Sequence, residues 1–304
     1  MNRLTNIINN NKFEKDKLYL LQNYNEMFGF FYYNGEVIFG KKSDLTSIGS
    51  SISTDYLDME LNVHIESLSV ENTYSSGQYD LLIFKGLSDE VKMDIFYNIC
   101  SSYADDQTGI TFSDFFNALV DIFREHNDMD YINSVGLLGE MWLIKEVYEK
   151  CNINISTYWH RIGINSKFDF SFPNLNIEVK TTCKSEQEFN IKHSQIFNNQ
   201  NNYVAIINVF ETGEGESIAS LCDYFQKESP FCNDVRLQIC ISKELTRVRK
   251  PNKNKFSLES IYLVDVNDMD KLNDVPQSIS NITYDYDFSG TKKNEIDLLK
   301  KLLI

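Results

Sequence analysis

Residues 168–180 read Phe-Asp-Phe-Ser-Phe-Pro-Asn-Leu-Asn-Ile-Glu-Val-Lys, and this stretch constrains the chain more than any other. Phe168, Phe170 and Phe172 alternate with Asp169 and Ser171. Beyond Pro173-Asn174, Leu175, Ile177 and Val179 alternate with Asn176, Glu178 and Lys180. Strand side chains have a period of two, so the pattern predicts a hairpin with one apolar face toward a core. Asp169, Glu178 and Lys180 then share the other face, where two carboxylates and one ammonium group converge.

A second carboxylate-bearing stretch precedes the hairpin. Glu140 lies in Val135-Gly136-Leu137-Leu138-Gly139-Glu140-Met141-Trp142-Leu143-Ile144, with Leu137, Ile144 and Val147 three, four and seven positions away. That spacing puts Glu140 in the apolar stripe of a helix over about 134–150. Burying a carboxylate is costly unless it is paired, protonated or metal-bound. At the end of a stripe, water or a neighbouring arginine would serve as well as a metal. Beyond the hairpin, a short helix near 192–197 carries Gln195.

Along the rest of the chain, residues 1–26 hold a short amphipathic stretch (Phe13, Leu18, Leu20, Leu21) that reads as a helix. Phe30 to Phe39 places Asn34-Gly35 between two β-rich runs, a strong hairpin signal. Strands are expected at Leu61–Ile65 and Tyr79–Phe84, and a helix at Ser88–Tyr103 with Val91, Ile95, Phe96 and Ile99 on one side. The polar segment Ala104–Gly109 divides a β-rich domain, 1–108, from an α/β domain, 109–304. In the latter, helices are expected at Ser113–His126, Ser217–Lys227 and from Asn294. Strands are expected at Tyr158–His160, Arg236–Ile241 and Ser260–Val266, and Tyr203–Phe210 reads as a central strand buried on both faces.

Composition narrows the class. The chain has 304 residues, 42% hydrophobic and 24% charged, enough for one large or two modest domains. No apolar run reaches the roughly 18–20 residues of a membrane span, and the start lacks a signal-peptide core, which together place the chain in the cytoplasm. Six scattered cysteines without a C-x-x-C pair read as reduced thiols. His64, His126, His160 and His193 show no zinc-helix spacing, and neither a Walker loop nor a G-x-S-x-G elbow is present.

Taken together, Gly136-Leu137-Leu138-Gly139-Glu140, Trp159, Asp169-Phe170, Glu178-Val179-Lys180-Thr181-Thr182 and His193-Ser194-Gln195 resemble the PD-(D/E)xK nuclease superfamily. More narrowly, they are similar to the PD-(D/E)xK motif proteins of bacterial anti-phage restriction clusters. The likeness covers residues 134–196. Phe168 stands where the signature has proline, and every charged position is kept.

The resemblance implies an α/β fold with a restriction-endonuclease-like core, a mixed central sheet flanked by helices, preceded by a β-rich N-terminal domain. It implies a Mg2+-dependent DNA endonuclease, with Mn2+ as a possible substitute. Asp169, Glu178 and the carbonyl of Val179 would bind the ion, with Glu140 near it or its waters. Lys180 would orient the attacking water and Gln195 would position phosphate or water, while His193 reads as a surface histidine. By the same analogy the alternatives are a noncatalytic DNA-docking or scaffold subunit, or a repair or junction nuclease.

Net charge of −15 opposes autonomous binding to a polyanion. The strongly basic stretch is 243–255, so Arg247, Arg249 and Lys250, with Lys184 beside the hairpin, are the candidates for DNA contact. By analogy with enzymes of this fold that cut duplexes as dimers the resemblance implies a homodimer, and an ATPase, helicase or methyltransferase partner from a defence cluster would bring DNA to so acidic a chain.

Overall fold

The computed structural model describes residues 3–43, 49–69, 73–86, 89–105, 109–123, 131–162, 167–184, 187–196, 201–247, 255–270, 279 and 281–303. Helix α1 (Arg3–Asn10) is followed by strands β1 (Tyr19–Asn23), β2 (Phe28–Tyr33), β3 (Glu36–Lys42), β4 (Ser51–Ser53), β5 (Leu57–Ser69) and β6 (Tyr74–Phe84). Helices α2 (Glu90–Asp105), α3 (Phe112–Phe123) and α4 (Tyr131–Cys151) come next, then β7 (Phe170–Ser171), β8 (Leu175–Thr182) and β9 (Glu188–Lys192). The chain continues through α5 (His193–Ile196), β10 (Asn201–Thr212), α6 (Ile218–Lys227) and α7 (Val235–Arg247). It ends with β11 (Lys255–Asp265), β12 (Thr283–Asp287), β13 (Asn294–Glu295) and α8 (Leu298–Leu303).

Two compact units divide the chain, one comprising Met1–His126 with Cys232–Thr246, the other Asn127–Phe231 with Arg247–Ile304. The division falls after α3 rather than at 108/109. Phe115, Phe116, Leu119, Ile122 and Phe123 of α3 share one apolar cluster with Phe96 and Ile99 of α2, Phe39 and Phe84 of the sheet, and Val235 of α7.

In the first unit, β1-β2-β3-β6-β5 are hydrogen-bonded in that order and β5 returns to β1, closing a five-stranded ring with β4 outside on β5. An odd ring cannot alternate throughout, and the parallel junction is Tyr19↔Leu68 and Leu20↔Ser69. Closure removes the open edges a sheet would otherwise present. The Asn34-Gly35 turn joins β2 to β3 as expected, both residues having positive φ, 47° and 94°, the conformation a two-residue hairpin turn requires. Phe31, Ile38, Ile65 and Leu81 form a separate cluster on the face away from α2 and α3.

The second unit carries a five-stranded mixed sheet, β13-β11-β10-β8-β7, in which β8 and β10 are parallel and the other pairs antiparallel. Buried from Asn202 to Val209, β10 is the expected central strand. A two-stranded ladder, β12-β9, stands beside it in sequence. Helix α6 begins at Ser217, whose hydroxyl accepts from Ser220 N–H in a capping box.

Five local expectations change. Arg236–Ile241 is helix α7, because Asp234 accepts from the N–H groups of Arg236 and Leu237 as an N-cap, and Leu237, Cys240, Ile241 and Glu244 are buried at helical spacing. Tyr158–His160 lies in two 3-10 turns, with only an isolated bridge, Trp159↔Phe170. The last helix starts at Leu298, since Asn294–Glu295 pairs as an edge strand. At the other end α1 stops at Asn10, and Leu20 and Leu21 lie in β1. Val91 is 69% exposed, off the buried side of its helix. Among the described residues no helix is long and apolar enough to cross a membrane.

Candidate metal centre

Helix α4 brings Glu140 to the centre of the second unit. A Cβ built on Gly139 would fall 1.8 Å from Oγ1 of Thr181 in β8, so only glycine allows this helix and strand to approach so closely. The next residue, Glu140, is buried. Its Oε2 accepts from the Trp159 indole at 2.6 Å and from Arg161 Nε at 2.8 Å, while Oε1 accepts from Arg161 Nη2 at 2.9 Å. A neighbouring arginine thus stands where the stripe needed a partner, and the pairing is bidentate.

The turn that presents Trp159 and Arg161 is pinned to the hairpin. His160 N–H donates to the carbonyl of Asp169 at 2.9 Å, and its ring Nδ1 lies 3.2 Å from the same oxygen. Ring and carboxylate also approach, Nδ1 to Oδ1 of Asp169 at 3.7 Å. Ligand atoms of Glu140, His160 and Asp169 all lie within 4.8 Å of one another.

The β7–β8 register pairs Phe170 with Ile177 and Ser171 with Asn176, so one step further Asp169 faces Glu178. The face they share is not a solvated one: Glu178 is buried, Asp169 and Lys180 are half-buried, and β8 is covered on both faces from Leu175 to Val179. Val179 N–H donates to Asp169 Oδ2 at 2.7 Å, and Lys180 Nζ holds Glu178 Oε1 at 2.8 Å. Burial, then the negative charges of Glu140 and Glu178, push the Asp169 carboxyl up to about 8, against the smaller pull of the Val179 N–H and Lys180.

A family model described as "Putative PD-(D/E)XK family member, (DUF4420)" matches residues 53–289, most of the chain. The chain belongs to this PD-(D/E)XK family. No curated protein and no solved structure matches it. The mixed α/β unit and the β-rich start are the PD-(D/E)XK nuclease-like fold class that the sequence pointed to. The family's motif is a nuclease motif, so nuclease is the class of activity this kinship supports.

Within the PD-(D/E)XK signature, Asp169, Glu178 and Lys180 lie together and Glu140 joins them. Gln195 is buried with its amide engaged by the backbone, Oε1 accepting from Lys192 N–H at 3.1 Å and Nε2 donating to the Lys167 carbonyl at 3.3 Å. His193 is half-buried with Nδ1 at 3.0 Å from the Tyr284 hydroxyl. Lys184 is exposed just past β8, and Arg247 is half-buried at the end of α7. Arg249 and Lys250 lie outside the described residues. Two contributors went unread in the sequence, His160 and Arg161. Their only signal was adjacency to Trp159, and a turn anchored by backbone bonds has no periodicity to find.

The donor set suits a divalent ion. Arg161 and Lys180 are engaged by Glu140 and Glu178, and the charges of both acids bear on Asp169, raising its carboxyl. A hard cation among carboxylate oxygens would relieve that repulsion.

Proposed function

We propose that the chain is a metal-dependent DNA endonuclease that hydrolyses phosphodiester bonds, the cleaving component of a restriction or anti-phage system. One observation carries the reading: ligand atoms of Glu140, His160 and Asp169 lie within 4.8 Å of one another, beside the hairpin strand that carries Glu178 and Lys180, an arrangement that would suit an added cation. Asp169 and Glu178 would hold Mg2+ or Mn2+, with the Val179 carbonyl and Glu140 beside them. When bound, such an ion polarises a phosphoryl oxygen and makes its water more acidic.

The chain's own residues supply the rest. Lys180 Nζ, 2.8 Å from Glu178, would donate to the attacking water and offset charge on the phosphoryl group. Trp159 and Arg161 fix Glu140 in one rotamer, and the Val179 N–H fixes Asp169. Holding acids in place before the substrate arrives lowers the reorganisation the reaction needs.

A noncatalytic DNA-docking subunit is the second reading, favoured by the net charge of −15. On either reading, a second copy would let both strands of a duplex be engaged, and an ATPase, helicase or methyltransferase partner would help deliver DNA to so acidic a chain. Incubating phage DNA with the purified chain in Mg2+ or EDTA separates them. Metal-dependent cleavage by the native chain, lost in Glu178→Gln and in Lys180→Ala, is expected; full cleavage by either variant refutes the catalytic assignment.

A further inference from the structure

Within the second unit, the β9–β12 ladder and the chain leading into Asp169 border a cleft of about 530 Å3. Lys167, Lys192 and His193 line it with Ser194, Asn281 and Thr283, and every titratable side chain among the described lining residues is basic. That is unusual in a chain with 44 acidic residues against 29 lysines and arginines.

The ladder gives this charge a direction. Lys192 pairs with Thr283, Asn190 with Asp285 and Glu188 with Asp287, and these six are the exposed, alternate positions of the two strands. The exposed face is therefore basic at the cleft end and acidic at the far end. A polyanion is attracted to the first and repelled by the second. Both lysine-bearing segments are braced by the same buried side chain, Gln195, which bonds the Lys192 N–H and the Lys167 carbonyl. The two ammonium groups hence extend from a fixed backbone.

We infer that this cleft binds backbone phosphates of duplex DNA beside the cleavage centre, with Lys167 and Lys192 meeting the phosphates. The inference rests on the nuclease reading and gives its DNA a path. Among the described residues no Phe, Tyr or Trp lines the cleft and His193 is the one aromatic ring there, so bases find little stacking platform, whereas ammonium groups neutralise phosphates as point charges. Lys167 is two residues from Asp169, at most about 7 Å along extended chain. That is about two nucleotide steps of one strand at roughly 3.4 Å of axial rise.

The test is fluorescence anisotropy of a labelled duplex of about 20 base pairs with Ca2+ as the divalent ion, across a salt series, for the full chain and for Lys167→Ala/Lys192→Ala. Both lysines are exposed, so the fold is expected to persist. The double variant is expected to lose at least tenfold in affinity at low salt. Its slope of log affinity against log salt should fall by about 2, one unit per phosphate contact, while its Mn2+ titration stays that of the native chain. Equal affinity and slope for the double variant, or no binding by the native chain, overturns the inference. Loss of DNA by the double variant alongside full cleavage by Glu178→Gln leaves the cleft standing and removes the catalytic reading. A dead Glu178→Gln with native binding by the double variant does the reverse.

Discussion

Arg161 closes on Glu140 through both carboxylate oxygens, Nε to Oε2 at 2.8 Å and Nη2 to Oε1 at 2.9 Å, at the point where α4 turns its one buried acid toward Asp169. The acid of the helix stripe is paired, and the pair stands beside a carboxylate that is left protonated to an unusually high pH. The site is therefore poised by geometry, with each acid held by a different device.

Arg161→Met removes one of those devices. The side chain of Glu140, 8% exposed, would keep the Trp159 indole but lose its counter-charge. Breaking one partner of a buried pair costs about 3 kcal/mol, at the low end of the usual range because Arg161 is 23% exposed. Urea denaturation should show this loss, and adding Glu140→Gln should recover more than half of it. A single variant as stable as the native chain would show that the pair contributes nothing.

Asp169 sets a pH dependence. In the unfolded chain its carboxyl titrates near 3.9, whereas in the fold it keeps its proton to about 8. The folded state thus binds more protons between those values, and the metal-free chain should lose stability as pH rises from about 4 through about 8. A divalent ion must displace that proton. Its affinity should climb with pH and level off above about 8, with proton release visible by calorimetry in buffers of different ionisation enthalpy. Metal affinity that is flat from pH 6 to 9 would contradict the origin given for the shift.

Gly139 and Gly136 should behave oppositely although both sit in α4. At 139 an added methyl group meets Thr181 Oγ1 at 1.8 Å and its Cβ at 2.9 Å, so Gly139→Ala forces helix and strand apart at a cost of about 1–3 kcal/mol. Thr181→Ala in the same chain should return part of that. Gly136 has nothing within 4 Å of its would-be Cβ, and Gly136→Ala should stabilise by about 0.5–1 kcal/mol through helix propensity. Thermal melts of the four chains decide this, and equal destabilisation at both positions would rule out the close approach.

The sequence was readable where a period or a turn signal repeats. The alternation through Phe168 to Lys180, the Asn34-Gly35 turn and the buried run of β10 each appear where the pattern placed them. Glu140 was legible as an acid out of place, because a helix stripe makes an exception visible. Residues 236–241 alternate as a strand would, and the Asp234 cap with the 237, 240, 241, 244 stripe won over that shorter pattern. Arg161 and His160 stayed hidden, since their positions come from contacts with Glu140 and the Asp169 backbone rather than from any local spacing. Gln195 was singled out by its place after the hairpin, yet its amide faces the backbone of Lys192 and Lys167.

Asp169, Glu178 and Glu140 are proposed to form one cation site. Its most direct test is a calorimetric titration with Mn2+ at pH 8 of the native chain and of Asp169→Asn, which keeps the side chain's shape and removes its charge. Saturable binding by the native chain and at least a tenfold loss of affinity in the variant are expected, with the thermal melt of the metal-free variant unchanged or raised. A native chain that takes up no ion, or an Asp169→Asn chain that binds it equally well, would remove Asp169 from any cation site.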